Sequence, residues 1–132
     1  MTQPWMSAEW ADAAAPLTEL LPDVPGVSGS VSLAVSGGRR QEAGFHWSYD
    51  AGKARAGAAG IDAGADLVLL LAAPDAIDVF KGEVEPSVAF MRGRLKASGD
   101  GGLLLGFLKS TVDPRFADWR DKVRALASDT AG

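Results

Sequence analysis

Apolar and polar positions alternate with two different periods along this 132-residue chain. Near its start Trp10, Ala14, Leu17 and Leu21 recur at helical spacing behind Ser7, a residue type suited to cap a helix. Pro16 removes a backbone donor and predicts a kink or restart, and Pro22, Pro25 and Gly26 close a helical lead-in over 1–27. The period then drops to two. Val31, Leu33 and Val35 alternate with Ser30, Ser32, Ala34 and Ser36, a half-buried strand that Gly37 and Gly38 are expected to turn. Phe45, Trp47 and Tyr49 alternate with His46, Ser48 and Asp50, so the second strand has an aromatic face, and Asp50-Ala51-Gly52-Lys53 reads as a hairpin turn. The Ala- and Gly-rich stretch 54–59 predicts a weak third strand, with little side-chain volume to pack.

Residues 66–72 carry an apolar run, unbroken from Leu67, between Gly64 and Pro74, which predicts a strand covered on both faces. Asp75 is placed to cap a short helix, with Asp78 three positions on as an imperfect capping box; Ile77 and Phe80 would face inward and Gly82 would end it. Pro86 opens another helix. At the far end Asp113 and Pro114 make a cap and a first helical position. Phe116, Trp119, Val123 and Leu126 form one stripe behind them, and Asp118 and Lys122 an outward i,i+4 pair. The mixed charge of that helix lacks the basic excess of membrane-surface helices, so it is expected to pack over the domain's own apolar opening.

Between these elements lies the stretch that organises the rest, 89–108. An apolar helical end (Val88, Ala89, Phe90, Met91) is closed by Gly93, and a short strand follows with Leu95 and Ala97 on one face and Arg94, Lys96 and Ser98 on the other. Gly99 turns the chain, Asp100 stands at an N-cap, and Leu103, Leu104, Leu105, Phe107 and Leu108 crowd a second helix. A surface helix needs only a stripe about 100° wide, so this one is expected to be covered on two sides.

Phe90, Gly93, Arg94, Leu95, Lys96, Gly99, Asp100, Gly102 and Leu103, at these spacings, resemble the signature of the sterol carrier protein 2 (SCP-2-like) domain family. Gly101 departs from it, standing where a bulky residue is common. The resemblance covers 28–110 at motif level. It implies an α+β fold, a five-stranded, mainly antiparallel sheet with helices packed on one face, enclosing a hydrophobic cavity for a sterol, fatty acid or fatty acyl-CoA. The chain 1–132 is then one lipid-binding domain, with a lead-in (1–27), a sheet and helix core (28–110) and a C-terminal amphipathic helix (113–128).

Composition narrows the classes. The length suits one domain that buries roughly two-thirds of its unfolded surface. A net charge of -4 argues against non-specific nucleic-acid binding. The longest apolar run, 67–73, is far short of the roughly 20 residues that span a bilayer, so no stable membrane insertion is expected. No basic leader with an apolar core and no peroxisomal ending is seen, which makes the cytoplasm the default; heavy use of Ala, Gly and Arg suggests a GC-rich bacterial genome. Zero Cys removes thiolate chemistry and disulfides, and a single His removes any His cluster, so neither metal nor cofactor is expected.

Catalytic arrangements are not found. His46 is the one candidate base; it falls on the outward face of a strand, where a solvated or singly hydrogen-bonded role is expected. Glycines 57–64 precede a strand rather than follow one, which excludes a dinucleotide turn. At the 99–102 turn Asp100 competes for the helix N–H groups that could hold a phosphate. Asp75, Asp78, Glu83 and Glu85 read as solvated helix ends. The expectation is a non-enzymatic carrier whose cavity is lined or lidded by Phe80, Phe90, Met91, Leu103, Leu104, Phe107, Leu108, Phe116 and Trp119, with Phe45, Trp47 and Tyr49 as floor. Its partners would be an apolar small molecule and a lipid-metabolising enzyme. Two alternatives stand beside it: an isomerase- or cyclase-type enzyme using the same pocket, and a filled domain serving partner binding or oligomerisation.

Overall fold

A computed structural model describes residues 3–5, 7–38, 41–62 and 64–128. In chain order its elements are β1 (Gln3–Pro4), α1 (Ala8–Ala14), a 3-10 turn (Ala15–Leu20), β2 (Gly29–Gly38), β3 (Gln41–Asp50), β4 (Lys53–Ala54), β5 (Ala58–Ala59), β6 (Leu67–Ala72), α2 (Ala73–Phe80), α3 (Pro86–Met91), β7 (Leu95–Gly99), α4 (Gly101–Ser110), α5 (Pro114–Ala125) and β8 (Ala127–Ser128). The fold is α+β. The main sheet runs β4-β3-β2-β6-β7, with β5 also on β3; every pair is antiparallel except β2 with β6. β1 and β8 form a separate parallel pair that joins the two ends.

Register turns alternation into a continuous apolar surface. Trp47, Val31 and Leu67 lie in one row across the sheet, Phe45, Leu33, Leu69 and Ala97 in the next, and Leu71 with Leu95 beyond. All but Ala97 are buried, under the helices. Burying such a side chain contributes roughly 1.5–3 kcal/mol, so these rows dominate the fold's stability.

The β3–β4 hairpin turns where Asp50-Ala51-Gly52-Lys53 predicts, with positive φ at both Ala51 and Gly52. Other expectations are corrected. Gly37 and Gly38 do not turn the chain but continue β2, Gly38 pairing with Gln41. The third strand is two fragments, β4 and β5: Arg55 still gives its N–H to Ser48 in register with β4, but Gly57 gives its own to Ala15, and pairing with β3 resumes at Ala58 shifted by one residue. β6 is covered on one face only: Leu67, Leu69 and Leu71 are buried, while Leu70 is 43% exposed. Asp75 does not cap α2. Pro74 opens that helix early, Ala72 is the cap position, and the carboxylates of Asp75 and Asp78 instead grip Arg94 at 2.7 and 2.6 Å. Those hydrogen bonds, Asp75 first, raise the Arg94 pKa further, and they tie α2 to the start of β7.

Helix starts follow the local signals elsewhere. Ser7, Asp100 and Asp113 each accept an N–H of the first turn, from Trp10, Leu103 and Arg115. Gly99, at φ +127, could carry no side chain, since a Cβ would run into the Asp66 carbonyl. In α4 the glycine amid leucines has a packing cause: a Cβ at Gly106 would sit 2.6 Å from Val24 Cγ1. The helix is not wrapped on two sides as its composition predicts. Leu103, Phe107 and Leu108 are buried, Leu104 is half-buried and Leu105 is 68% exposed.

Candidate ligand cavity

Strand alternation and helix phase bring aromatic rings from five elements into one closed circuit. Trp10 meets Phe45, Phe45 meets Trp47, Trp47 meets Phe107, Phe107 meets Phe116, Phe116 meets Trp119, Trp119 meets Phe80, and Phe80 returns to Trp10. Successive centroids are 5.3 to 6.4 Å apart, the spacing of favourable tilted and edge-to-face pairs.

Inside lies a cavity of about 40 Å³. Six belt residues line it (Phe45, Trp47, Phe80, Phe107, Phe116 and Trp119), together with Leu33, Leu69 and Leu71 from the sheet, Leu95 from β7, Val79 from α2 and Pro86 from α3. No lining side chain carries a charge. The space is narrow, since an apolar cavity that admits benzene is on the order of 150 Å³. On the far side of Phe116 an open groove of about 320 Å³ runs between α3 and α5, edged by Glu85, Ser87, Thr111, Asp113 and Arg120. Phe116 lines both spaces, so its ring lies between cavity and groove.

The indole N–H of Trp119 is buried and forms no hydrogen bond among the described residues, while the Trp47 indole N–H and the Tyr49 hydroxyl are buried beside each other. Burial pushes the Tyr49 hydroxyl up to about 12, offset in part by the Trp47 indole beside it. His46 stays outside the cavity, half-buried on the opposite sheet face, with Nδ1 2.9 Å from the Gly60 carbonyl oxygen. Among the described residues no three His, Asp or Glu side chains converge as a metal site.

Of the residues expected to line or lid the cavity, Phe45, Trp47, Phe80, Phe107, Phe116 and Trp119 do line it. Leu103, Leu104, Leu108 and Tyr49 do not; Leu103 packs against Gly29 at the start of β2. Phe90 and Met91 turn away, Met91 being 83% exposed. The cause is phase. In the six-residue α3, Pro86 and Ala89 take the buried face three positions apart, which sends the next two side chains around the helix. Leu33, Leu69, Leu71 and Leu95 are wall residues outside that expectation, although their period-two positions mark the same sheet face.

Comparison with known proteins agrees with this architecture. The model of the SCP-2 sterol transfer family matches residues 16–109. A conserved hypothetical protein of Thermus thermophilus, described as possibly a sterol carrier protein, superposes with a TM-score of 0.68 at 19% identity, over 96% of this chain and 93% of that one. A crystal structure of sterol carrier protein 2 superposes with a TM-score of 0.66 at 21% identity, over 92% of this chain and 98% of that one. Palmitated SCP2L2 from Aedes aegypti gives 0.52 at 17% identity, over 63% and 71%. No curated protein sequence matches the chain.

Proposed function

The chain belongs to the SCP-2 sterol transfer family, and from that premise we propose that it is a lipid carrier whose aromatic belt closes on the hydrocarbon part of a sterol, fatty acid or fatty acyl chain. In this reading the lead-in, the sheet and helix core and the C-terminal helix act as one lipid-binding unit. The observation that carries it is the lining: twelve side chains from both layers converge on one cavity, all of them hydrocarbon or aromatic. Palmitate in the Aedes aegypti relative supports the same ligand class.

The cavity is small, about 40 Å³, and a long chain must spread the layers to enter. Burying an acyl chain of about sixteen carbons offers on the order of 12 kcal/mol. Micromolar affinity uses about 8 kcal/mol. The remainder, about 4 kcal/mol, is what can go into unpacking the belt and ordering the chain. Parting α5 from the sheet at Phe116 is the route this reading favours, because that ring lines both the cavity and the groove. None of the lining side chains supplies a carboxylate, imidazole or amine, so an acid–base enzyme in this cavity would need its group from elsewhere.

The narrowness of the cavity favours a second reading, a filled domain that binds a partner through exposed Met91, Leu105 and Val112. Native mass spectrometry of freshly purified protein separates the two. A carrier shows one lipid mass per chain; a filled module shows bare chain or an oligomer, and takes up no sterol or fatty alcohol added in excess. Among the described residues no helix is long and apolar enough to cross a membrane, so delivery would take place at a surface or to an enzyme.

A further inference from the structure

Two neighbouring helices, α3 and α4, contain no carboxylate, whereas α1, α2 and α5 contain two each. The free charges beside them are cationic: Arg92 follows α3 and Lys109 lies in the last turn of α4, both exposed. The same two helices and the residues after them hold Phe90, Met91, Leu105 and Val112, all exposed, the last three by more than two-thirds. Helix phase gathers these side chains. Leu103, Phe107 and Thr111 form the buried face of α4. Gly106 flanks that face on one side, against Val24 and Val27. Leu104 and Leu108 flank it on the other, and Leu105 continues from them into solvent. With the first flank taken by Val24 and Val27, α3 packs along the second, and its Ser87 shares a groove with Val112. Apolar side chains gathered on one exposed face mark an interaction surface.

We infer that this face docks on an anionic lipid bilayer, with Phe90, Met91, Leu105 and Val112 entering the headgroup layer and Arg92 and Lys109 meeting lipid phosphates. Docking goes beyond the carrier reading and takes from it only the route of entry. Charge decides the occupant. The chain carries a net charge of -4, so an anionic surface repels it as a whole and approaches where the local sign is reversed. Carboxylates at the edge of the groove face cations of their own, Asp113 with Arg115 at 3.5 Å and Glu85 with Arg120 at 3.7 Å. A second copy meeting this face about a two-fold axis would set Arg92 and Lys109 against their duplicates. Position points the same way. Val112 and Phe116 line one groove, and Phe116 also lines the cavity, so docking here turns the proposed route of entry towards the bilayer. Both helices are too short to span a bilayer, and the seating is peripheral.

Flotation with vesicles of phosphatidylcholine, alone or mixed in equal parts with phosphatidylglycerol, measures docking; native mass spectrometry of the same protein measures bound lipid. The protein should bind the mixed vesicles about tenfold more strongly than the neutral ones, and added salt should shrink the difference. Arg92→Gln and Lys109→Gln should each weaken binding to the mixed vesicles about fivefold. Met91→Gln and Leu105→Gln in one chain should weaken it about tenfold. Leu20→Gln, which removes an exposed leucine from the turn after α1, should leave it unchanged. All these positions are exposed, and melting curves check that the variants fold. Equal binding to both vesicles, or an equal loss with Leu20→Gln, overturns the inference. So does a dimer that the Met91 and Leu105 substitutions separate, which assigns the face to a second copy. Protein that carries lipid yet floats with neither vesicle refutes docking and leaves the carrier reading intact; protein that docks and carries no lipid refutes the carrier reading alone.

Discussion

Trp10 and Trp119 lie on helices over the same sheet face and touch the same ring, Phe80, at centroid distances of 5.3 and 6.0 Å, yet they live in unlike surroundings. Around Trp10 the packing is complete. Ala11, Ala14 and Ala15 let α1 and the turn after it lie close against the sheet, the indole N–H has its carbonyl, and buried Thr18 has two acceptors in reach, Ala15 O at 2.9 Å and Arg55 O at 2.8 Å. Around Trp119 large rings meet with a gap between them, and the buried Trp119 indole N–H has no hydrogen-bond partner among the described residues. Both regions are apolar. What differs is how tightly their own atoms pack, and on the carrier proposal that difference, more than hydrophobicity, marks the half that takes the lipid.

Trp10→Ala should be the most damaging change, costing about 3–5 kcal/mol in urea unfolding. Trp119→Ala should cost less, because neighbours can settle into the existing gap and an unpaired N–H is removed. Equal or reversed losses would break the contrast between the halves. Phe116→Ala joins the cavity to the outer groove; a loss of about 3 kcal/mol is expected, with faster lipid exchange measured by stopped flow. Unaltered exchange would show that lipid enters elsewhere.

Tyr49, the chain's single tyrosine, sharpens the contrast by pH. Its folded pKa of about 12 lies above the ordinary value of 10.0. Below pH 10 the hydroxyl is protonated folded and unfolded. From about pH 10 to about pH 12 the unfolded chain releases the proton while the folded chain holds it, so stability falls as pH rises, by roughly 2 kcal/mol at the upper end. Tyr49→Phe should lack that component of the decline, read from melting curves across the range. Tyrosinate absorbance appearing near pH 10 in the folded protein would refute the burial argument. The mildest change is Leu105→Lys, on the exposed side of α4, expected within about 0.5 kcal/mol of the original. A larger loss, or a change in oligomer size by light scattering, would point to a covered face there.

Much of this is legible in the residues, where the governing interactions are local. Ser7, Asp100 and Asp113 cap helices because the bonds they make lie within three residues, and Phe45, Trp47 and Tyr49 share a face because strand period is two. Asp75 reads as a cap because its true partner, Arg94, is 19 residues away and leaves no local trace. Phe90 and Met91 look like cavity wall because apolarity alone does not fix the phase of a six-residue helix. The run at 66–72 does not tell which of its faces is covered, nor do the leucines of α4. The width of the cavity is illegible for a further reason: it is the small difference between the space two layers enclose and the volume their side chains fill, and no stretch of sequence contains that difference.

The most direct test of the carrier account is an isotope-filtered NOE spectrum of labelled protein holding unlabelled dodecan-1-ol. The account predicts contacts from the alkyl chain to the rings of Phe107, Phe116 and Trp119. Contacts confined to Met91, Leu105 and Val112, or none at saturating alcohol, would contradict it.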